Sequence, residues 1–126
     1  MLVRTTLLVL GAGIGCGLGC GQSTPSPSDP AIAREMLKNA LDAWKQGDSL
    51  EAYKQTAPAV TVVDRYWKKG TKLLDYELGN DSVPSGYDVR FSAKLTVLDA
   101  GGKASTQKPT YNVCTTPALV IVRGPD

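Results

Sequence analysis

The residues able to do chemistry in this sequence are few, and the missing types matter as much as those present. There is no histidine, which removes the commonest general base near neutral pH and the commonest transition-metal ligand. Cys16 and Cys20 lie close together near the start, and Cys114 stands by itself near the other end. Cys16 and Cys20 can be read as a disulfide or as half of a metal site, but a closed site needs further Cys or His ligands. Neither a metal nor a cofactor is predicted. Cys114 reads as a small core residue, since no partner is visible. Asp75 falls between Leu74 and Tyr76, and Asp99 precedes a glycine-rich turn; both read as solvated surface carboxylates. The candidates for lining a ligand pocket are the aromatics Trp44, Tyr76, Tyr87 and Phe91. Of these, Trp44 reads first as an anchor packed against the sheet, with the pocket role as its alternative. No catalytic constellation is visible, so an enzyme is not predicted.

The elements that must position these residues begin after a non-structural segment. The chain has 126 residues and a formal charge of +2, enough for one domain and with no strong charge bias. Lys and Arg are scattered among Asp and Glu with no basic run interleaved with aromatics, and no nucleic-acid partner is predicted. Residues 1–20 carry one early charge, Arg4, a short apolar centre Leu7–Leu10, and the run GAGIGCGLGC. That is the pattern of a secretory signal. It is too short and too glycine-rich for a spanning helix, which needs about 20 apolar residues. Residues 21–29, GQSTPSPSD, hold no apolar residue besides proline and read as an extended tether.

The end of the signal resembles the lipobox of bacterial lipoproteins, in which a run of apolar and small residues ends in an obligatory cysteine. Gly17-Leu18-Gly19-Cys20 fits, and Gly13-Ile14-Gly15-Cys16 is the alternative. Both have Gly where Leu is usual. The resemblance implies an acylated Cys20 inserted in a membrane leaflet, with secretion and cleavage nearby as the other outcome. Gly21 after the cysteine resembles an outer-membrane address.

Residues 30–126 read as one α+β domain. Pro30 suits a first helical turn and Asp29 or Ser28 can cap it. Ala33, Leu37, Ala40, Leu41 and Trp44 recur at helical spacing, with Arg34, Lys38, Asp42 and Lys45 opposite. Gly47 stops this helix. Asp48 then caps a second, short helix with Glu51 at the third following position, ending near Thr56 because Ala57 precedes Pro58. Val60–Val63 reads as a strand followed by one turn from Asp64 to Lys69; the rival is a single helix over 60–69. Further strands are predicted at 71–78, with Leu74, Tyr76 and Leu78 on one side, at 87–99, at about 103–116 and at 118–123, with a loop at 80–86. Residues 87–99 alternate most regularly: Tyr87, Val89, Phe91, Ala93, Leu95 and Val97 face one way. Pro109 within the return strand predicts an edge or a bulge.

Helices followed by strands, together with Ala43-Trp44-Lys45-Gln46-Gly47-Asp48 at a helix end, resemble the NTF2-like (cystatin-like) superfamily. The stretch Val63 to Leu74 resembles a segment of small bacterial lipoproteins of unknown function. The resemblance implies N-terminal helices packed on a curved antiparallel sheet of about four to five strands. Some members are isomerases, cyclases and dehydratases that use Asp or a His–Asp pair, and no Asp here sits on a strand with an evident Tyr partner. The functional expectation is therefore a membrane-tethered envelope lipoprotein acting as a non-catalytic binding or interaction module. The alternatives are an isomerase-type enzyme and a purely structural envelope component. Its expected partners are the membrane through the lipid, an envelope protein or small ligand, and a second copy through the sheet.

Overall fold

The computed structural model describes residues 27–125. The signal segment, both lipidation candidates Cys20 and Cys16, and most of the tether lie outside the described residues. Helix α1 spans Pro30–Lys45, α2 Leu50–Thr56 and α3 Arg65–Lys68; the strands are β1 Val60–Val63, β2 Lys72–Ser85, β3 Asp88–Leu98, β4 Ala104–Gln107, β5 Thr110–Cys114 and β6 Leu119–Arg123. The class is α+β.

Each helix starts where a short polar side chain takes orphan amide protons. Asp29 Oδ1 accepts from the Ala31 and Ile32 N–H groups at 2.8 and 3.1 Å. Helix α1 ends in a Schellman turn, with Gly47 N–H donating to Trp44 O, Asp48 N–H donating to Ala43 O, and Gly47 at φ +103°. The α2 cap is Ser49, whose Oγ accepts from Ala52 N–H at 3.1 Å. This is one residue beyond the expected Asp48, because Asp48 is consumed by the turn that ends α1. Of the two readings of 60–69, the strand-plus-turn one holds. Asp64 breaks the β1 path and caps α3.

The sheet is mixed, not antiparallel, and has six strands in the order β1-β6-β5-β3-β2, with β4 also paired to β3. The parallel pair is β1 with β6, from Val60 opposite Leu119 to Val63 opposite Val122. Adjacent-strand reasoning could not anticipate it, since the partners lie at opposite ends of the domain. The return strand divides into β4 and β5 at the fully buried Pro109, so proline marks a break inside the sheet.

The predicted loop at 80–86 is instead the far half of β2. Ser82–Ser85 pair with Phe91–Asp88, and a register shift between Leu78 and Ser82 absorbs the intervening residues. The regular β3 supplies a template that outweighs the turn-like composition. A second shift lies between Leu73 and Asp75. It leaves Leu74 as the extra residue, 45% exposed, while Leu73 is buried at 3%. Leu74 therefore does not share a face with Tyr76 and Leu78.

One sheet face carries Val89, Phe91, Ala93, Leu95 and Val97 of β3, Tyr111 and Val113 of β5, Ile121 of β6 and Val62 of β1. These form one core with Ala33, Leu37, Ala40, Leu41 and Trp44 of α1 and Leu50 and Tyr53 of α2. Helix α1 also shields the β2 edge. Arg34 donates to Gly79 O at 2.8 Å, Lys45 pairs with Asp75 at 3.1 Å, and Tyr76 OH donates to Asp42. Three residues expected on the solvent side of α1 thus occupy a strand edge that would otherwise invite pairing. Ser28 and Asp29, assigned to the tether by composition, belong to the fold. Ser28 is 2% exposed; it donates to Tyr87 O and accepts from Thr115 N–H.

Candidate functional site

Arg123 ends β6 at a position whose alternation points it into the core, and it is 7% exposed. A buried guanidinium requires a counter-charge and acceptors. Asp64, 3% exposed, supplies the charge, with Oδ1 at 3.7 Å from Arg123 Nη1. Gln107 of β4 accepts from Arg123 Nη2 at 2.7 Å. The guanidinium carbon lies 4.4 Å from the Tyr66 ring centroid, a cation–π contact. Asp64 Oδ1 also takes the Tyr66 and Trp67 N–H groups at 3.0 and 3.3 Å, and Oδ2 takes the Tyr111 hydroxyl at 2.7 Å. One carboxylate thus joins β1, α3, β5 and β6.

Tyr111 is held as a neutral donor. Burial first, then the charge and hydrogen bond of Asp64, push its hydroxyl far above the ordinary phenol range, with Arg123 pulling partly back. Both oxygens of Asp64 are engaged, so it is arranged as a structural tie and not as a base open to substrate. Replacing Tyr111 with Phe is expected to cost about 1.5–3 kcal/mol in urea unfolding, as for a hydrogen bond to a charged group. Because the folded-state pKa of Tyr111 is raised, its contribution is complete below the unfolded value of about 10 and is lost as pH rises above it. Tyr111→Phe should therefore flatten the alkaline fall in stability; an unchanged slope would refute the linkage.

Tyr66 and Gln107 are shared with a cleft of about 530 Å³ between α3 and the β3–β4 turn. Its polar lining is Tyr66, Lys69, Thr71, Asp99, Ser105 and Gln107. Asp99 Oδ1 accepts from Lys103 N–H at 2.9 Å, which fixes the turn. A second depression of about 390 Å³ lies beyond Gly70 and Thr71, bordered by Trp44, Trp67, Lys68, Lys72 and Leu74.

The aromatics singled out from the sequence do not converge on one cavity. Trp44 is 3% exposed, stacked on Trp67 at 5.7 Å and 15°, with Nε1 donating to Thr71 O at 2.7 Å. It borders only the smaller depression. Tyr76 is half-buried against α1, and burial followed by the Asp42 hydrogen bond raises its hydroxyl well above the usual range. Tyr87 is 69% exposed in the β2–β3 turn, and Phe91 is fully enclosed in the core. Tyr76, Tyr87 and Phe91 do not line the larger cleft. Sequence reasoning missed Asp64, Tyr66, Gln107, Tyr111 and Arg123. One signal was present: Arg123 continues the core-facing parity of Leu119 and Ile121, and a charge at such a position demands a partner.

Compared with known proteins, the chain matches no family model, no curated protein and no solved structure. Among the described residues no group of three or more His, Cys, Asp or Glu could hold a metal ion, and no helix is long and apolar enough to cross a membrane.

Proposed function

We propose that this chain is a lipid-anchored envelope protein whose α+β domain is a non-catalytic binding module, with the α3/β4 cleft as its site. The observation that carries this reading is the contrast between two neighbouring features. The cleft is open and lined by polar side chains, whereas Asp64, the buried carboxylate among the described residues, is committed to internal partners. An isomerase-type enzyme would need a carboxylate buried beside the cavity, whereas Asp99, which lines the cleft, is exposed and accepts from Lys103 N–H in the turn. The α+β class, with helices on one face of the sheet, is compatible with the NTF2-like resemblance, and the cleft lies between α3 and the β3–β4 turn.

The tether adds an orientation. Ser28 joins the fold beside Tyr87, at the start of β3, and Asp99 of the cleft follows its end. Eleven strand residues span about 35 Å at about 3.3 Å each. Residues 21–27 reach at most about 25 Å. An acylated Cys20 would thus hold the Tyr87 end near an outer-membrane leaflet and present the cleft away from it. A homodimer through the sheet is the second reading. It is favoured by Val63, 54% exposed and paired with Val122 on the face without helices.

Mass spectrometry of the mature protein should find an acylated Cys20 as N-terminus, and Cys20→Ser should move the protein to the soluble fraction. A Cys20→Ser chain that stays on membranes would sink the anchoring reading. For the site, native mass spectrometry of protein taken from its own envelope should show a bound mass that Ser105→Trp, which fills the cleft, removes. The same bound mass in both proteins, or none in either, would count against the cleft.

A further inference from the structure

Arg65, Lys68, Lys69 and Lys72 are all exposed and lie within eight consecutive residues. Among the described residues no carboxylate lies within 4.0 Å of any of them; the ion pairs formed elsewhere are Lys45–Asp75, Lys54–Glu51 and Arg123–Asp64. Arg65 and Lys69 each come to 4.8 Å from the Tyr66 ring centroid, and Arg123 approaches the same ring. The evenly mixed charge of the sequence therefore hides a local concentration of cations. Crowded like charges repel, and a surface that gathers them without counter-ions complements an anion.

The concentration forms the rim of the cleft. Lys69 lines the larger depression and Lys68 and Lys72 the smaller one, while Gly70 and Thr71 are the saddle common to both. A chain-like ligand can cross this saddle and occupy both sides. One carboxylate stands in each depression, Asp99 in the larger and Asp48 in the smaller, and they decide what else the ligand must carry. They disfavour a bare phosphate or a polyphosphate and favour a molecule that also donates hydrogen bonds. Ser105, Gln107 and Thr71 offer further partners to hydroxyl groups.

We propose that the two depressions and their basic rim bind an acidic saccharide chain, its anionic groups on Lys68, Lys69 and Lys72 and its hydroxyls on Asp99, Ser105 and Gln107. This rests on the reading of the cleft as the binding site. The test titrates the full mature chain in detergent micelles with trigalacturonate, and with neutral maltotriose as the matched control. Trigalacturonate is expected to bind at least tenfold more tightly than maltotriose and to weaken several-fold as salt rises from 50 to 200 mM. Lys68→Glu/Lys69→Glu should lose at least tenfold, and Ser105→Trp should abolish binding, with both variants keeping the parent urea midpoint within a few tenths molar.

Equal binding of the two sugars would overturn the acidic class while leaving the cleft as a site. Trigalacturonate binding that survives Ser105→Trp but not the charge reversal would overturn seating in the cleft. Tighter capture of single-stranded oligothymidylate, or of vesicles containing a quarter phosphatidylglycerol, would assign the rim to a different polyanion and overturn the saccharide. If neither sugar binds, the proposal fails. The bound mass lost in Ser105→Trp would still stand for the binding-module reading, so the two failures are distinguishable.

Discussion

Asp64→Ala is expected to lower unfolding free energy by about 3–5 kcal/mol, the cost of removing one partner of a buried ion pair. Three losses coincide in this substitution. The amides of Tyr66 and Trp67 lose the α3 cap, the Tyr111 hydroxyl loses its acceptor, and the buried Arg123 guanidinium loses the charge beside it. A cap alone is worth about 1 kcal/mol, so a cost near that figure would show that the ion pair contributes nothing. Asp64→Asn separates the contributions. It keeps an oxygen for capping and removes the charge, and should fall between the parent and the alanine variant. Arg123→Met tests the pair from the other side, because a well-packed apolar replacement costs less than an unpaired charge. Adding Arg123→Met to Asp64→Ala should recover part of the loss, with a coupling of about 0.5–3 kcal/mol. Additive costs in urea titrations with unchanged m-values would show that the two residues act independently. Since Tyr66 and Gln107 form both the roof of this network and the wall of the cleft, the same variants should also reduce any ligand binding there.

What the sequence made legible was the local part of this arrangement. Helix α1 follows from apolar spacing over 30–45, and β3 from strict alternation. The junction at Asp64 follows from a β-branched run meeting a capping residue. In each case the signal and the structure lie within the same sixteen residues or fewer. The misreadings share a different origin. Period two carried along β2 puts Leu74 on the face of Tyr76, but a bulge that composition does not mark lies between Leu73 and Asp75. Composition predicts a loop at 80–86, where Asn, Asp, Ser, Pro and Gly dominate, yet pairing of Ser82–Ser85 with β3 decides the conformation.

The candidate site was less legible than the fold, for the same physical reason. Asp64 meets Tyr111 across 47 residues of sequence, and it meets Arg123 only because β1 and β6 run in parallel. Two Asp–Tyr pairs form at carboxylates that lie off the strands, at Asp64–Tyr111 and at Asp42–Tyr76. Both pairs form between a helix or helix junction and a strand, where one-dimensional periodicity carries no information. The basic rim was in plain view as RYWKKGTK, but it was averaged into the surrounding charge. Only the fold separates those cations from the carboxylates nearby in sequence.

Trp44→Ala should cost about 3–5 kcal/mol, the range for deleting a large buried aromatic, with Trp67→Ala in the same range. Trp44 fills the space between the end of α1 and the start of β2, and its Nε1–H meets an acceptor at Thr71 O. Trp67 stacks on it, contacts Tyr53 at 5.4 Å and donates to Asp48 O at 2.8 Å. The pair therefore pins the α1–α2 turn to the α3–β2 turn, the segment on which the cleft is built. Trp44→Phe keeps most of the apolar area and loses the N–H, leaving Thr71 O unsatisfied; its cost should be about 1–3 kcal/mol. The double variant should fall short of the summed single costs by about 0.5–1.5 kcal/mol, the worth of an aromatic pair beyond its burial. Near-parallel stacking at this distance also predicts an exciton couplet in far-ultraviolet circular dichroism that either single substitution abolishes. A Trp44→Ala protein of parent stability with its couplet intact would refute the packing itself. Parent stability with ligand binding lost would instead return Trp44 to the binding surface. With its ring 3% exposed and its one polar atom already bonded, the expected result is lost stability, with weaker binding following only because Gly70 and Thr71 lose their support.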